Sequence, residues 1–417
     1  MATATRSQRT ARTPAGAVAA TAAAFTICMA GTTLSTPLYD IYSRRYGFQT
    51  VTITILFAVY AIGVVATLTV FGRLSDAVGR RPVLLAAVGI SAAGSLILAF
   101  APGLSLLLVG RVVSGLAAGL MSGTGTAAVI DLFPSERRGP GATVAVAANT
   151  GGLALGTLLA GILAEVAPKP LITPYLVQAG LAVLAGLWLL LAAGRLSTAA
   201  AAAPGGTAPG STAGAAPGGR RFRLGRLRIP AEIRAPFIRA VLAAGAGFAV
   251  LGVLTSVSSV FLATILHIDN HALAGGVVAL AFAFMAVGQL AARRAEPQAA
   301  LLAGCGGLCV AAAILLLSLT LHSLAALVIA AIVLGIAEGS CLNAGIASTV
   351  ERVPPDLRGE VSSSYFAGLY IFLALPAIGV GVLSAHTGLV EAGVIFCAVV
   401  IALAAIVGAS QGRHRTA

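Results

Sequence analysis

Charge is what this chain has least of. Only 9% of its 417 residues are Asp, Glu, Lys or Arg, about a third of the share in a soluble domain. Lysine is almost missing, with Lys169 standing alone among 26 basic residues. The five cysteines (Cys28, Cys305, Cys309, Cys341, Cys397) are scattered through apolar runs. That excludes a disulfide framework and reads as buried free thiols. Cys305 and Cys309 share a helix face, but two ligands do not make a metal site. No G-x-x-x-x-G-K-[ST] loop is present, so nothing points to ATP-driven work, and no paired-histidine metal motif appears. Short strands of alternating polarity, the mark of a membrane barrel, are missing too.

What fills the space is hydrocarbon. Hydrophobic residues make up 58% of the chain, and the mean hydropathy is +0.99. A water-facing fold cannot hide that much, so the solvent has to be lipid. Apolar runs cover 16–38, 51–71, 83–101, 105–128, 141–163 and 174–194, then 237–262, 272–291, 299–318, 324–347, 361–384 and 388–409. Each is long enough to cross the bilayer as a helix. The fold class is therefore an all-α polytopic membrane protein with twelve spans. The expected organisation is a tail (1–15), a six-helix bundle (16–194), a linker (195–236), a second six-helix bundle (237–409) and a tail (410–417). The first run follows a basic, acid-free N-terminus without a clear cleavage site and reads as a retained anchor.

The net charge is +13, and its distribution carries the meaning. With both termini on one side, that side collects nearly every arginine. The other side holds only Arg44, Arg45 and Lys169, while Arg111 lies inside a span. The Arg-rich side is then cytoplasmic, and the basic excess reports topology rather than a nucleic-acid partner. The linker contains the low-complexity stretch 197–219, read as flexible, and then RRFRLGRLRIP. Its five arginines from Arg220 to Arg228 are expected to rest on anionic headgroups.

The two halves are related in sequence. GLAAGLMSGTGTAAVIDLFPSERRG (115–139) aligns without gaps on GIAEGSCLNAGIASTVERVPPDLRG (335–359), at a constant offset of 220. Gly115/Gly335, Gly119/Gly339, Gly125/Gly345, Pro134/Pro354, Arg138/Arg358 and Gly139/Gly359 coincide. Two halves of the same polarity are the parallel repeats of a transporter, related by an axis along the membrane normal.

The stretch GRLSDAVGRRP (72–82) sits between spans 2 and 3. It resembles the G-x-x-x-D-x-x-G-R-R/K loop of the major facilitator superfamily at Gly72, Asp76, Gly79, Arg80 and Arg81. LLLVGRVVSGLAAG (106–119) resembles the Arg-containing span-4 motif of that family's drug:proton antiporters. GLALGTLLAG (152–161) resembles their span-5 motif, although Thr157 stands in place of the proline and Ala160 in place of a glycine. The resemblance implies two six-helix bundles related by a pseudo-two-fold axis. It also implies alternating access and a proton gradient as driving force, with no cofactor. In that family the loop acid faces the start of span 11, and the loop arginine meets an acid at the end of span 4, which here is Asp131. The expected role is a conformational latch on the cytoplasmic side.

Buried polar residues are the candidates for coupling and substrate recognition. Arg111 inside span 4 is costly and needs a cavity or a partner. By resemblance it helps couple proton movement to substrate. Glu338 is near the middle of span 10, with Ala118 as its repeat counterpart; the resemblance implies that span 10 lines the cavity, which makes this acid the candidate proton-binding group or cation-recognition site. Asp40, Asn149 and Asn343 complete the set, the amides serving either ligand or neighbouring helix. The expected activity is proton-coupled efflux of a small, partly apolar compound by a monomer. The residues leave open an importer of a small metabolite and, in another class, a membrane receptor or scaffold that does not transport.

Overall fold

The computed structural model describes residues 15–71, 78–201, 229–354 and 357–412. Twelve helices among these residues are long and apolar enough to cross a membrane, and no strand occurs among them. Spans 1–6 run Ala15–Tyr46, Thr50–Val70, Arg80–Ala99, Leu104–Asp131, Arg138–Val166 and Thr173–Ala192. Spans 7–12 run Ala231–Thr264, His271–Ala292, Pro297–Leu321, Leu324–Arg352, Arg358–Thr387 and Leu389–Gln411.

Most ends stand within a few residues of the apolar runs. Span 1 does not. Its helix ends at Thr33, turns through Thr36–Leu38 at Pro37, and resumes as Tyr39–Tyr46. Proline fixes φ and has no N–H to give, so it suits the opening of that turn, where the N–H would find no partner within the helix. The resumed piece, YDIYSRRY, is polar on one side and was therefore invisible to a hydropathy reading. It lifts Asp40, Arg44 and Arg45 out of the expected loop and onto a helix.

Within the first bundle, span 1 packs on span 5, span 2 on span 4, and span 3 on spans 4 and 6. The second bundle repeats each pairing: 7 on 11, 8 on 10, and 9 on 10 and 12. The repeated glycines explain why. A Cβ on Gly115 would strike the Tyr60 carbonyl of span 2, and one on Gly335 would strike the Ala281 carbonyl of span 8. Gly119 lies as closely on Val64 and Thr67, and Gly339 on Met285. Backbone meets backbone at the same two places in both halves, which lipid-embedded helices favour. Gly123, one turn further along span 4, faces open space.

The halves meet along span 5 with span 8 and span 2 with span 11. Exchanging the repeats turns one of these contacts into the other, as a two-fold relation requires.

Candidate functional site

Three polar constellations lie on or beside the contact between the halves. The first is on the face opposite the Arg-rich one. Arg44, at the end of span 1, donates Nη1 and Nη2 to the two carboxylate oxygens of Asp269 at 2.7 and 2.8 Å. Asp269 precedes span 8, so this bidentate pair ties the first half to the second. Asp40, one helical turn before Arg44, places Oδ2 2.7 Å from the same guanidinium. Asp40 is 3% exposed, whereas Arg44 and Asp269 are open to solvent. The hydrogen bond from Arg44 holds the Asp269 carboxyl below its usual range. Ser259 donates to the Thr36 carbonyl beside them at 3.2 Å. Glycine seals the rim: Gly161 rests on the His271 backbone and Gly275 on the Thr157 carbonyl. This face is shut. Asp40, Asp269 and His271 approach within 4.8 Å of one another, but Arg44 already supplies the positive charge among them.

The second constellation surrounds Arg111, which is 2% exposed. Its Nη1 donates to the Thr32 carbonyl at 2.8 Å, Nε to Leu56 at 3.3 Å and Nη2 to Phe57 at 3.5 Å. The guanidinium also lies 4.9 Å from the centre of the Tyr60 ring, a favourable cation–π distance. These partners belong to spans 1 and 2. Arg111 therefore knots three spans of the first half together, taking the Thr32 carbonyl beside the break in span 1 and two carbonyls from within span 2. Tyr60 in turn meets Tyr370 of span 11 edge-on at 6.1 Å, and Tyr370 meets Phe248 of span 7 at 6.2 Å. A chain of rings thus crosses from the first half to the second at mid-depth.

The third is Glu338. The resemblance put it on a cavity wall between the halves; the structure turns it into the second bundle. It is 0% exposed, and neither carboxyl oxygen has a hydrogen-bond partner. The carboxyl occupies the place of a missing Cβ on Gly247 of span 7. Cys305, Cys341 and Tyr365, from spans 9, 10 and 11, are in electrostatic range. The rotation of span 10 about its axis decides this, because Gly335 and Gly339 are pinned against span 8.

A family model described as Major Facilitator Superfamily matches residues 21–375. The chain belongs to that superfamily. Among curated relatives it is similar to a class H tetracycline resistance protein from Pasteurella multocida, 31% identical over 112 residues. That match covers 27% of this chain and 28% of the relative. It is also similar to a class G tetracycline resistance protein from Vibrio anguillarum, 37% identical over 117 residues covering 26% and 29%. The matches span under a third of these relatives' length. In fold it is similar to the crystal structure of a bacterial homolog to the human lysosomal transporter Spinster, in its inward-facing, unoccupied conformation. There the TM-score is 0.74 at 15% identity, over 97% of this chain and 98% of the other.

The superfamily loop is only partly in view. Gly72 and Asp76 lie outside the described residues. Gly79 has a φ of +98°, which favours glycine. Arg80 follows as the first residue of span 3, with Nε 3.4 Å from Asp131 Oδ2 at the end of span 4. Arg81 donates to the Leu190 carbonyl of span 6 at 3.3 Å. Arg293, the repeat counterpart of Arg73, reaches from span 8 to Ala142 and Thr143 of span 5 at 3.2 and 3.4 Å. Burial holds its guanidinium below the usual range. The basic run Arg220–Arg228 is also outside the described residues.

The remaining candidates stand apart. Asn149 is partly buried with an unpartnered Oδ1, and Asn343 is partly buried on span 10. Asp40 belongs to the closed face and not to a cavity. Sequence reading missed Asp269, Tyr60 and Tyr365. Asp269 had one available signal: it is an acid on the face where Arg44, Arg45 and Lys169 are the only basic residues.

Proposed function

We propose that this superfamily transporter exports a small, partly apolar compound across the bacterial plasma membrane in exchange for protons. The Arg-rich face, with both termini, is cytoplasmic by the positive-inside rule. Glu338 carries the reading. An ionised carboxylate with no exposure and no partner is too costly to keep. The state that encloses Glu338 therefore holds it as the neutral acid, and releasing that proton demands a different surrounding. A group that gains and loses a proton as the halves rock is what coupling needs. Arg111 contributes by fixing the first half and, through Tyr60 and Tyr370, by touching span 11.

Two closures alternate in this scheme. Arg44 with Asp269 shuts the outer face. On the cytoplasmic face the loop carrying Gly72, Asp76, Gly79, Arg80 and Arg81, with Asp131, is the latch that favours the outward-facing state. Asp76→Asn is expected to raise cytoplasmic cysteine accessibility. Arg220–Arg228 would hold the linker on anionic lipid.

The similarity to tetracycline resistance proteins makes tetracycline the first compound to try. In proteoliposomes with an imposed pH gradient, the wild type is expected to accumulate it. Glu338→Gln is expected to lose gradient-driven uptake and to retain counterflow exchange. Full gradient-driven uptake in Glu338→Gln would exclude the coupling role.

A further inference from the structure

Glu338 is not the only orphan in its column. The Tyr365 hydroxyl is also fully buried and also lacks a partner. Buried tyrosine hydroxyls ordinarily find one, and leaving one unmade is costly. Arg239, Ser258 and Gln289 of this bundle also carry an unpartnered buried atom, but among these only Glu338 and Tyr365 offer an acidic O–H.

The positions of these two connect them. Span 10 runs from the outer face at Leu324 to the cytoplasmic face at Arg352. Glu338, Cys341 and Gly345 follow one stripe of that helix, at steps of three and four. The Tyr365 hydroxyl fills the place of the absent Cβ on Gly345. That is seven residues below Glu338, or about 10 Å of rise. Tyr365 is itself seven residues into span 11 from its cytoplasmic start at Arg358, again about 10 Å. The hydroxyl stands between Glu338 and the cytoplasmic face. The other direction is shut by the Arg44–Asp269 closure.

The ring needs no hydroxyl to pack. It meets Phe237 and Phe366 edge-on at 6.2 and 5.8 Å, and phenylalanine would do the same. Other titratable groups around Glu338, among the described residues, are Cys305 and Cys341, and these hydrogen-bond to each other. Span 7 offers Gly247 there, and span 8 offers Gln289 against Gly339, neither of which titrates.

We propose that Tyr365 relays the proton between Glu338 and the cytoplasm when, with the outer face still closed, the second bundle opens on its cytoplasmic side and admits water to both side chains. This rests on Glu338 being the coupling acid. The Glu338 O–H breaks, and its proton passes through the water so admitted to the Tyr365 oxygen. The hydroxyl's own proton leaves to water on the cytoplasmic side. One proton moves, the phenol is restored, and Glu338 is left as a carboxylate.

The test needs no substrate. Full-length protein in lipid is subjected to an alkaline pH jump while the carboxylic C=O band is followed by infrared absorption. Glu338 is assigned as the band missing from Glu338→Gln. Tyr365→Phe is expected to slow loss of that band about tenfold or more and to leave its final amplitude unchanged. A tyrosine made more acidic by ring fluorination at 365 is expected to change the rate while keeping the hydroxyl. An unchanged rate in both variants overturns the relay. So does a shifted endpoint at constant rate, which would make Tyr365 a tuning group. If Glu338→Gln removes no band, the coupling role of Glu338 fails instead.

Discussion

Asp269→Asn isolates the outer closure. The Arg44–Asp269 pair crosses between halves, so it exists only while that face is shut. Asp40–Arg44 lies within one helix and persists in both states. Arg44 and Asp269 are 53% and 58% exposed, so solvent screens their attraction to roughly 0.2–1 kcal/mol despite the bidentate geometry. Removing it multiplies the ratio of open to shut by about 1.4 to 5. Arg44→Gln removes the same cross-half pair and also strands Asp40. A buried carboxylate without its cation costs about 3 kcal/mol or more, yet that loss is common to both states. It appears in thermal stability and not in gating. The assay is a pulsed electron-spin distance between labels at Gln49 and Glu391, both exposed on this face in opposite halves. Both variants are expected to enlarge the long-distance population by the same modest factor, with only Arg44→Gln melting markedly earlier. An unmoved distribution in Asp269→Asn would refute the closure. Much larger opening in Arg44→Gln would show that Asp40 does not stay paired.

The pH dependence of that closure follows from Asp269. Its carboxyl is held below its ordinary value of 3.8 by Arg44. A depressed carboxyl contributes its stabilisation above the ordinary value and loses it as pH falls through the lowered one. The difference in shut population between the wild type and Asp269→Asn, read by the same labels, is expected to stay constant from about pH 8 to about pH 5. Arg111→Lys cannot serve three carbonyls in three directions with a guanidinium's geometry; a loss of about 1–3 kcal/mol is expected in unfolding of the detergent-purified protein. Gly115→Ala and Gly335→Ala each drive a methyl into a neighbouring backbone carbonyl, at about 1–3 kcal/mol. Gly123→Ala, with open space around it, is expected to leave the melting temperature unchanged.

Twelve spans and two repeats were legible because hydropathy and the constant offset of 220 need no side-chain geometry. The glycine pairs were legible as a repeat, and the structure adds that they mark identical helix contacts. The direction of Glu338 was not legible. A residue's facing depends on how a helix is turned about its axis, and that is set by Gly335 and Gly339 against span 8. Arg111 was recognisable as costly, but its carbonyl partners depend on the end of the first helix at Thr33 and on how span 2 packs against span 4. The outer closure was hidden because YDIYSRRY does not look like part of a span, and because Asp269 reads as a lone loop acid.

The doubled glycine contacts have a thermodynamic consequence. Where backbone lies directly on backbone, no long side chain stands between the spans to change rotamer when the molecule moves. Each bundle then carries little conformational entropy to gain or lose internally. The heat-capacity change of rocking should come almost wholly from surface exchanged along spans 2, 5, 8 and 11. A calorimetric comparison of variants trapped on either side would therefore measure the hinge surfaces rather than the bundles.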